Sequence, residues 1–492
     1  MTSSFSLKRK LLCACLLLLA ATGAALLAQT RPQARRVVYL SYEDAKPFLE
    51  AGADILPQGL KGKSQPELAR DWPNWVVRRD AEIRARLLKG DEDTLVNFLL
   101  FGTSYTKQPR ITQQQLNQIG QQQPNAAGTI NNPALAGLAN SLQARADDLL
   151  RAMAAPGSND RLLFARRLLA EQKGFRLDTP EGRAKAKAYL LESVVHVLGE
   201  FSNYAKILET ARAQGASEEF IERSNIFRTR GLSSDTTLLP NYAIEEALKA
   251  ILARKLLAPG TVRRVAIIGP GLDFTDKQEG YDFYPQQSIQ PFALIDSLLR
   301  LGLTTRADAL QVTTFDLSPR VNDHLERARE RAQRGQGYVL QLPYDTQARW
   351  KPEAVRYWEQ FGDRIGSPMQ AIAAPSAIST VKMRSLQVRP AIAALITPLD
   401  TNIVLQRLDI PAAERFDLII ATNILVYYDT FEQSLALANI ERMLRPGGFL
   451  LSNNALVELP FSRMHSVDYS TVVYSERAGD GDHIVWYQRA AD

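Results

Sequence analysis

The residues best suited to bind a ligand or to carry out chemistry follow short apolar stretches in the second half of this 492-residue chain. The motif GPGLD occupies residues 269–273 after the first stretch, and FDLS occupies 315–318 after the second. Glycine permits a sharp turn and a close backbone approach to a ligand. A carboxylate such as Asp316 at the second strand end can accept both hydroxyls of a ribose, as in dinucleotide folds. A plain glycine turn and a helix cap at Asp316 or Ser318 explain the same residues.

Two further polar residues occupy matching positions. Asp400 follows the third apolar stretch, where it is placed to accept a hydrogen bond from an adenine amine. Asn423 follows the fourth stretch, where a ligand would lie. Each also has an ordinary explanation, as a turn aspartate or a loop-capping asparagine. Because ligands of open α/β sheets bind beyond the carboxyl ends of the strands, we expect these side chains around one pocket.

The elements that must position them follow from the alternation of β-branched and helical stretches after Thr261. The predicted strands are Val265–Ile268, Leu310–Phe315, Ala393–Thr397, Phe416–Ala421 and Phe449–Ser452, with His465–Tyr474 and His483–Arg489 as a terminal hairpin. A helix is expected to run to Leu444 and to stop at the following RPGG turn. The prediction for 261–492 is an α/β fold with a doubly wound, seven-stranded, mostly parallel sheet.

The first half of the chain has a different sequence pattern. Residues 37–258 predict a mainly α-helical region, with one helix opening at Asp71 and breaking near Gly90, and with a Gln- and Asn-rich loop near 113–133. Before it, the basic residues 8–10 precede an apolar run that ends at Ala28. Residues 1–28 therefore form either a secretory signal peptide or an uncleaved membrane anchor.

Composition excludes several classes. The chain is 45% hydrophobic and 23% charged, which is typical of a globular protein. A net charge of +6 is too small to argue for a nucleic-acid partner. Both cysteines, Cys13 and Cys15, lie in the N-terminal stretch, and the four histidines are scattered, so no metal site is expected. Phe274 occupies the position of the small residue that a nicotinamide-binding G-x-G-x-x-G motif requires, which disfavours a dehydrogenase.

Taken in order, these features resemble the class I S-adenosylmethionine-dependent methyltransferases. They are the GxG turn, Asp316, Asp400, the segment FDLIIATNILVYYD at 416–429, LRPGG at 444–448 and the terminal hairpin. Within that class, the segment NILVYYD at 423–429 is most similar to the chemotaxis-receptor (CheR-like) group. In that group an insertion also separates the second and third strands, as 335–390 does here. The resemblance covers about half of the chain.

The resemblance implies S-adenosylmethionine as the cofactor and a methyl acceptor that the sequence does not identify. Gly269 and Gly271 would lie against the methionine end of the cofactor. Asp316 would hold the ribose, and Asp400 would accept from the adenine amine. Asn423 would lie near the sulfonium, and the site would be completed by Pro270, Asp273 and Leu317. Two departures stand out, since Ile267 replaces the usual acidic residue and Asp273 replaces a common third glycine. The long loop 273–287 is either a lid, a substrate contact or a solvated connection. No catalytic base is identified beyond the loop residues Glu279 and Tyr281 as guesses.

The N-terminus conflicts with this function. S-adenosylmethionine is made in the cytosol, so an active enzyme would face the cytosol, whereas a cleaved signal would export the chain to the periplasm. The alternative hypothesis is a non-catalytic exported or membrane-tethered protein that retains the fold. The expected partners are a methyl acceptor and, through the N-terminal apolar segment, a membrane, with no nucleic acid; the oligomeric state is not indicated.

Overall fold

The structure is a computed structural model that describes residues 36–111, 115, 133–214, 231–274, 281–453, 455–477 and 480–491. The predicted signal peptide or anchor at 1–28 and nearly all of the predicted Gln- and Asn-rich loop at 113–133 lie outside the described residues, as does Glu279. Among the helices described, none combines the length and apolarity needed to cross a bilayer.

The first half of the described chain is mainly helical. Its elements are β1 (Arg36–Tyr39), α1 (Tyr42–Ala51), α2 (Gln65–Phe101), α3 (Pro133–Ala154), α4 (Asp160–Arg167), α5 (Pro180–Gln214) and α6 (Leu239–Ala253). Helix α2 begins before the predicted Asp71, because Ser64 and Glu67 form a capping box ahead of it. The predicted break at Gly90 is also wrong. A Cβ at Gly90 would lie 1.9 Å from the carbonyl oxygen of Leu232, so this glycine serves close packing inside a continuous helix.

The second half alternates strands and helices. Its elements are β2 (Arg264–Ile268), α7 (Gln290–Arg300), β3 (Gln311–Asp316), α8 (Pro319–Gln333), β4 (Tyr338–Asp345), α9 (Pro352–Gln360), β5 (Gly366–Met369), β6 (Val381–Val388), α10 (Pro390–Ala393), β7 (Ile396–Asp400), β8 (Gln406–Asp409), β9 (Phe416–Ala421), α11 (Thr430–Met443), β10 (Leu444–Ser452), β11 (Met464–Val473) and β12 (Gly481–Arg489). The main sheet has the order β11-β12-β10-β9-β2-β3-β7. Five neighbouring strands from β10 to β7 run parallel, and β12 runs antiparallel to both β10 and β11. The predicted α/β fold with a seven-stranded, mostly parallel sheet is confirmed.

The third predicted strand is displaced along the chain. Residues predicted as its start, at Ala393, belong instead to the short helix α10, which begins at Pro390. Proline is favoured at the first helical position because its fixed φ suits the helix and its missing N–H is not needed there. The strand β7 therefore ends at Asp400, which pairs in parallel register with Asp316 at the end of β3.

The RPGG turn also differs from the prediction. Helix α11 ends at Met443, and Leu444 already pairs with Phe416 of β9. The register shifts between Leu444 and Phe449, where Gly447 has a φ of 73°. The turn is thus an irregularity within β10, and Gly447 supplies the left-handed conformation that it needs.

The segment predicted as an insertion forms a second, antiparallel sheet with the order β4-β6-β5. Helix α9 packs on this sheet, and the indole of Trp358 donates to the carbonyl oxygen of Leu342 at 3.2 Å. The segment also contacts the terminal hairpin, because the N–H of Lys351 donates to the carbonyl oxygen of Tyr474 at 2.7 Å. Trp350 forms a bridge with Ser475 beside it. The insertion is therefore fixed against the end of the main sheet.

The helical half is attached to the sheet at several places. Strand β1 pairs antiparallel with β8. On α2, the Nε of Arg79 donates to Oε1 of Glu432 on α11 at 2.8 Å, and the Glu432 side chain is only 1% exposed. Helix α6 lies in the same hydrophobic core as β2, α7 and β12. The two halves consequently share their cores.

Candidate functional site

A cavity of about 550 Å³ lies beyond the carboxyl ends of β2, β3 and β9. This is where ligands bind in open α/β sheets. Of the eight residues predicted for the cofactor site, six line the cavity, namely Gly269, Gly271, Asp273, Asp316, Leu317 and Asn423. Pro270 and Asp400 are not among the lining residues. The strand ends thus bring most of the predicted set together.

The glycine turn after β2 depends on both glycines. Gly269 and Gly271 have φ values of 67° and 63°, a conformation that side chains rarely adopt. A Cβ at Gly269 would lie 2.1 Å from the side chain of Ile424, and a Cβ at Gly271 would lie 2.8 Å from the carbonyl oxygen of Ser234. The turn therefore cannot accept side chains without a shift in the residues that border the cavity.

Asp316 ends β3 and is half-buried at the cavity. Its Oδ1 accepts a hydrogen bond from the N–H of Ser318 at 2.8 Å. Burial raises the pKa of Asp316 to about 6, and hydrogen bonds from the backbone of Ser318 and Gly271 oppose that rise. The carboxylate is consequently charged at neutral pH, and it is poorly solvated. Such a group gains strongly from hydroxyl donors brought by a ligand.

Asp400 has a different environment from Asp316, although the two are paired in the sheet. Its side chain is 57% exposed, and Oδ1 accepts a hydrogen bond from Nη1 of Arg84 at 2.7 Å. The next residue, Thr401, does line the cavity. Its Oγ1 is buried and has no hydrogen-bond partner within the described part of the chain. The end of β7 therefore contributes Oγ1 of Thr401 to the cavity lining, and not the carboxylate of Asp400.

Asp273 anchors the loop that follows the glycine turn. It is 5% exposed, and its Oδ2 accepts hydrogen bonds from the hydroxyl of Tyr284 at 2.9 Å and from Nε2 of Gln287 at 2.8 Å. Tyr281 and Tyr284 from this loop line the cavity. Apart from the exposed Pro285, residues 281–287 are therefore largely buried beside the site, and the interpretation as a solvated loop is wrong for this part of the loop.

Asn423 follows β9 and lies exposed at the cavity. Its φ of 57° is left-handed, a conformation that asparagine tolerates better than most residues. Its N–H donates to Oδ1 of Asn453 at 2.7 Å, and Nδ2 of Asn453 donates back to Oδ1 of Asn423. Asn453 follows β10 and also lines the cavity, although the sequence analysis did not single it out.

The helical half closes part of the cavity. Leu87 of α2 and the segment 232–240 line it. The segment is held to the glycine turn, since the N–H of Leu272 donates to Ser234 at 2.7 Å and the N–H of Thr236 donates to Leu272 at 2.9 Å. Sequence analysis missed this contribution. The only available signal was a run of small polar residues at 233–237, four of them with hydroxyl groups, which is common in loops.

The charged side chains that line the cavity, among the described residues, are all acidic. The lining contains six carboxylates, from Asp235, Asp273, Asp316, Asp345, Asp480 and Asp482. Among the described residues that line the cavity there is no lysine, arginine or histidine. This contrasts with the net charge of +6 of the whole chain. A cavity with this lining favours positively charged groups on its ligands.

No protein-family model matches the chain, and no curated protein matches it in sequence. Among solved structures, it is similar to the N-methyltransferase NodS from Bradyrhizobium japonicum WM9, at 15% identity and a TM-score of 0.24, over 50% of this chain and 98% of that chain. It is similar to a TehB-like SAM-dependent methyltransferase from Corynebacterium glutamicum, at 10% identity and a TM-score of 0.21, over 51% of this chain and 98% of that one. At such TM-scores the matches carry no weight, and the strand order and the cavity are the informative observations.

Proposed function

We propose that this chain is an S-adenosylmethionine-dependent methyltransferase. The observation that carries the proposal is the charged, half-buried Asp316 beside the Gly269–Gly271 turn, in a cavity at the carboxyl ends of the central strands. The parallel sheet with an antiparallel terminal hairpin supports the proposal, because the resemblance of the sequence to class I methyltransferases implies the same arrangement. A volume of about 550 Å³ lies within the usual range for small-molecule and cofactor sites.

The residues present fit this cofactor. Asp316 would accept the ribose hydroxyls, and the buried hydroxyl of Thr401, which lacks a partner in the described chain, would pair with the adenine edge. Asp400, whose Oδ1 accepts from Arg84 and which does not line the cavity, would have to turn towards the cavity to reach the adenine amine. Of the lining carboxylates, those near the glycine turn, Asp235, Asp273 and Asp316, suit the positive sulfonium and ammonium groups. When bound, the cofactor supplies an activated methyl group; the protein must orient the acceptor and exclude water.

The finer assignments are also proposals. Similarity to the chemotaxis-receptor group depends on residues 423–429 and on the position of the insertion. Export or membrane anchoring depends on residues 1–28, and an active enzyme is expected to face the cytosol. We propose a methyl acceptor as the partner and expect no nucleic acid.

Calorimetric titration tests the proposed function. S-adenosylmethionine and its product S-adenosylhomocysteine, titrated separately into the purified full chain, should each bind with micromolar affinity. Binding of neither compound to folded protein would reject the methyltransferase and favour a non-catalytic protein that retains the fold. Circular dichroism of the same sample confirms that the protein is folded.

Cofactor binding should depend on pH through Asp316. Hydroxyl donors favour the charged carboxylate, so the affinity should be highest above pH 6 and fall as the pH is lowered through the raised pKa of about 6. Well below that pKa the fall should approach about tenfold per pH unit, the slope for uptake of one proton. Titrations between pH 5 and 8 measure this. Asp316→Asn should remove the dependence, and an unchanged slope in that variant would assign it to another group.

A further inference from the structure

One part of the cavity lining does not come from the strand ends. We call it the insertion wall, and it consists of Tyr281, Leu342, Pro343, Asp345, Ala348, Trp350, Tyr474, Asp480 and Asp482. These residues belong to the loop before α7, the inserted sheet and the tip of the terminal hairpin. They form one surface, because the N–H of Lys351 donates to Tyr474 and the hydroxyl of Tyr281 donates to Oδ2 of Asp345 at 3.2 Å.

The three carboxylates of the insertion wall are held by neutral donors. Asp345 also accepts from the N–H of Gln347 at 2.9 Å, and Asp482 accepts from the hydroxyl of Tyr474 at 2.5 Å. Asp480 accepts from the hydroxyl of Ser475. None of the three forms an ion pair with a basic residue of the described chain. Within the described residues their negative charge is therefore not neutralised by a direct ion pair, although the guanidinium of Arg110 lies over the ring of Tyr281, 5.2 Å from its centroid.

Aromatic rings accompany these carboxylates. Trp350 lies in the wall and contacts Tyr344 with ring centroids 4.7 Å apart, while Tyr281 and Tyr474 are almost fully buried. The faces of such rings attract cations, and the attraction grows when water is excluded. Carboxylates and aromatic rings together form the usual protein environment for an organic ammonium group. They disfavour a carboxylate or a phosphate, which would meet the like charges of three wall carboxylates.

We propose that the methyl acceptor is an amine, bound as its ammonium form by Asp345, Asp480 and Asp482 and by the rings of the insertion wall. This inference rests on the proposed function, since it names the acceptor class of the same site. A bound ammonium must lose one proton before it can react, and a carboxylate of the wall would accept it. The neutral nitrogen then forms a bond to the methyl carbon while the carbon–sulfur bond breaks. The cofactor, when bound, would supply the methyl group and retain the electron pair of the broken bond as a neutral thioether, and the methylated ammonium would release a further proton to water.

Three matched probes test the proposal: 2-phenylethylamine, 3-phenylpropanoate and 2-phenylethanol. Each is titrated into the full chain saturated with S-adenosylhomocysteine. We expect the amine to bind at least tenfold more tightly than the acid or the alcohol. Asp482→Asn and Asp345→Asn should each weaken amine binding about tenfold and leave the affinity for S-adenosylhomocysteine within twofold.

Glu476→Gln is the matched control, because Glu476 lies on the same hairpin tip but is exposed and outside the cavity lining. It should leave amine binding unchanged. The inference is overturned if the acid or the alcohol binds as tightly as the amine, if the amine does not bind at tens of millimolar, or if both aspartate variants retain full amine affinity. If the chain binds the amine but not S-adenosylhomocysteine, the cation site stands and the proposed methyltransferase function fails.

Discussion

Asp316→Asn is expected to weaken S-adenosylmethionine binding by at least a hundredfold, which corresponds to about 2.7 kcal/mol. The substitution keeps the size of the side chain and removes the charge that two ribose hydroxyls would share. A hydrogen bond to a charged group contributes about 1.5–3 kcal/mol, so the loss of two accounts for the expected change. Calorimetric titration of the variant beside the parent chain measures it.

The same variant should fold at least as well as the parent chain. Because burial raises the pKa of Asp316, its charge disfavours the folded state at neutral pH, and a neutral amide relieves that cost. Asp400→Asn is the matched control, since Asp400 ends the adjacent strand in register with Asp316 but pairs with Arg84 outside the cavity lining. It should change the affinity less than threefold. If Asp400→Asn loses as much affinity for S-adenosylmethionine as Asp316→Asn, or more, the cofactor binds at the end of the edge strand β7 and not at Asp316.

Arg161→Ala is expected to destabilise the protein by about 3–5 kcal/mol, because several buried carbonyl acceptors would lose the hydrogen bonds of a charged donor. Arg161 is 2% exposed on α4, and its guanidinium donates to the carbonyl oxygens of four loop residues, 273, 274, 282 and 284. Its removal takes the guanidinium hydrogen bonds away from these carbonyls and opens a space beside Phe274. Urea unfolding followed by circular dichroism measures the change.

The neighbouring substitution Arg166→Ala separates this effect from a general loss of charge on α4. Arg166 is exposed on the same helix, so its replacement should change the unfolding free energy by less than about 0.5 kcal/mol, as is usual for surface positions. Equal stability of the two variants would show that the carbonyl contacts of Arg161 are not energetically important. Because Asp273 and Tyr284, two of the residues whose carbonyls Arg161 holds, line the cavity, Arg161→Ala should also weaken cofactor binding.

The sheet could be predicted because its central strands are buried on both faces. Such strands are continuous apolar runs, and Phe416–Ala421 was placed at its observed bounds. The glycine turn and Asp316 could be predicted because both are fixed by local chemistry at a strand end. The third strand was displaced because Pro390 starts a short helix, a preference that the apolar pattern of the following residues hides.

Contacts between distant segments could not be predicted. A Cβ at Gly231 would lie 2.2 Å from the backbone nitrogen of Gly90, so two glycines allow α2 and the cavity segment to cross. Alone, Gly90 resembles a helix break, and no local pattern indicates its partner. The exclusion of Asp400 from the cavity has the same origin, because Arg84 comes from α2. Tertiary packing decided these positions.

The pairing of β1 with β8 has a consequence for how the chain folds. The register that joins Val37 to Leu408 cannot form until about two thirds of the second half has been synthesised. Closing so long a loop is slow, because chain entropy must be lost before the contact stabilises anything. The N-terminal strand and the helices behind it should therefore dock late. Nascent or C-terminally truncated chains would leave the apolar face of that strand uncovered, which makes them candidates for aggregation or chaperone capture.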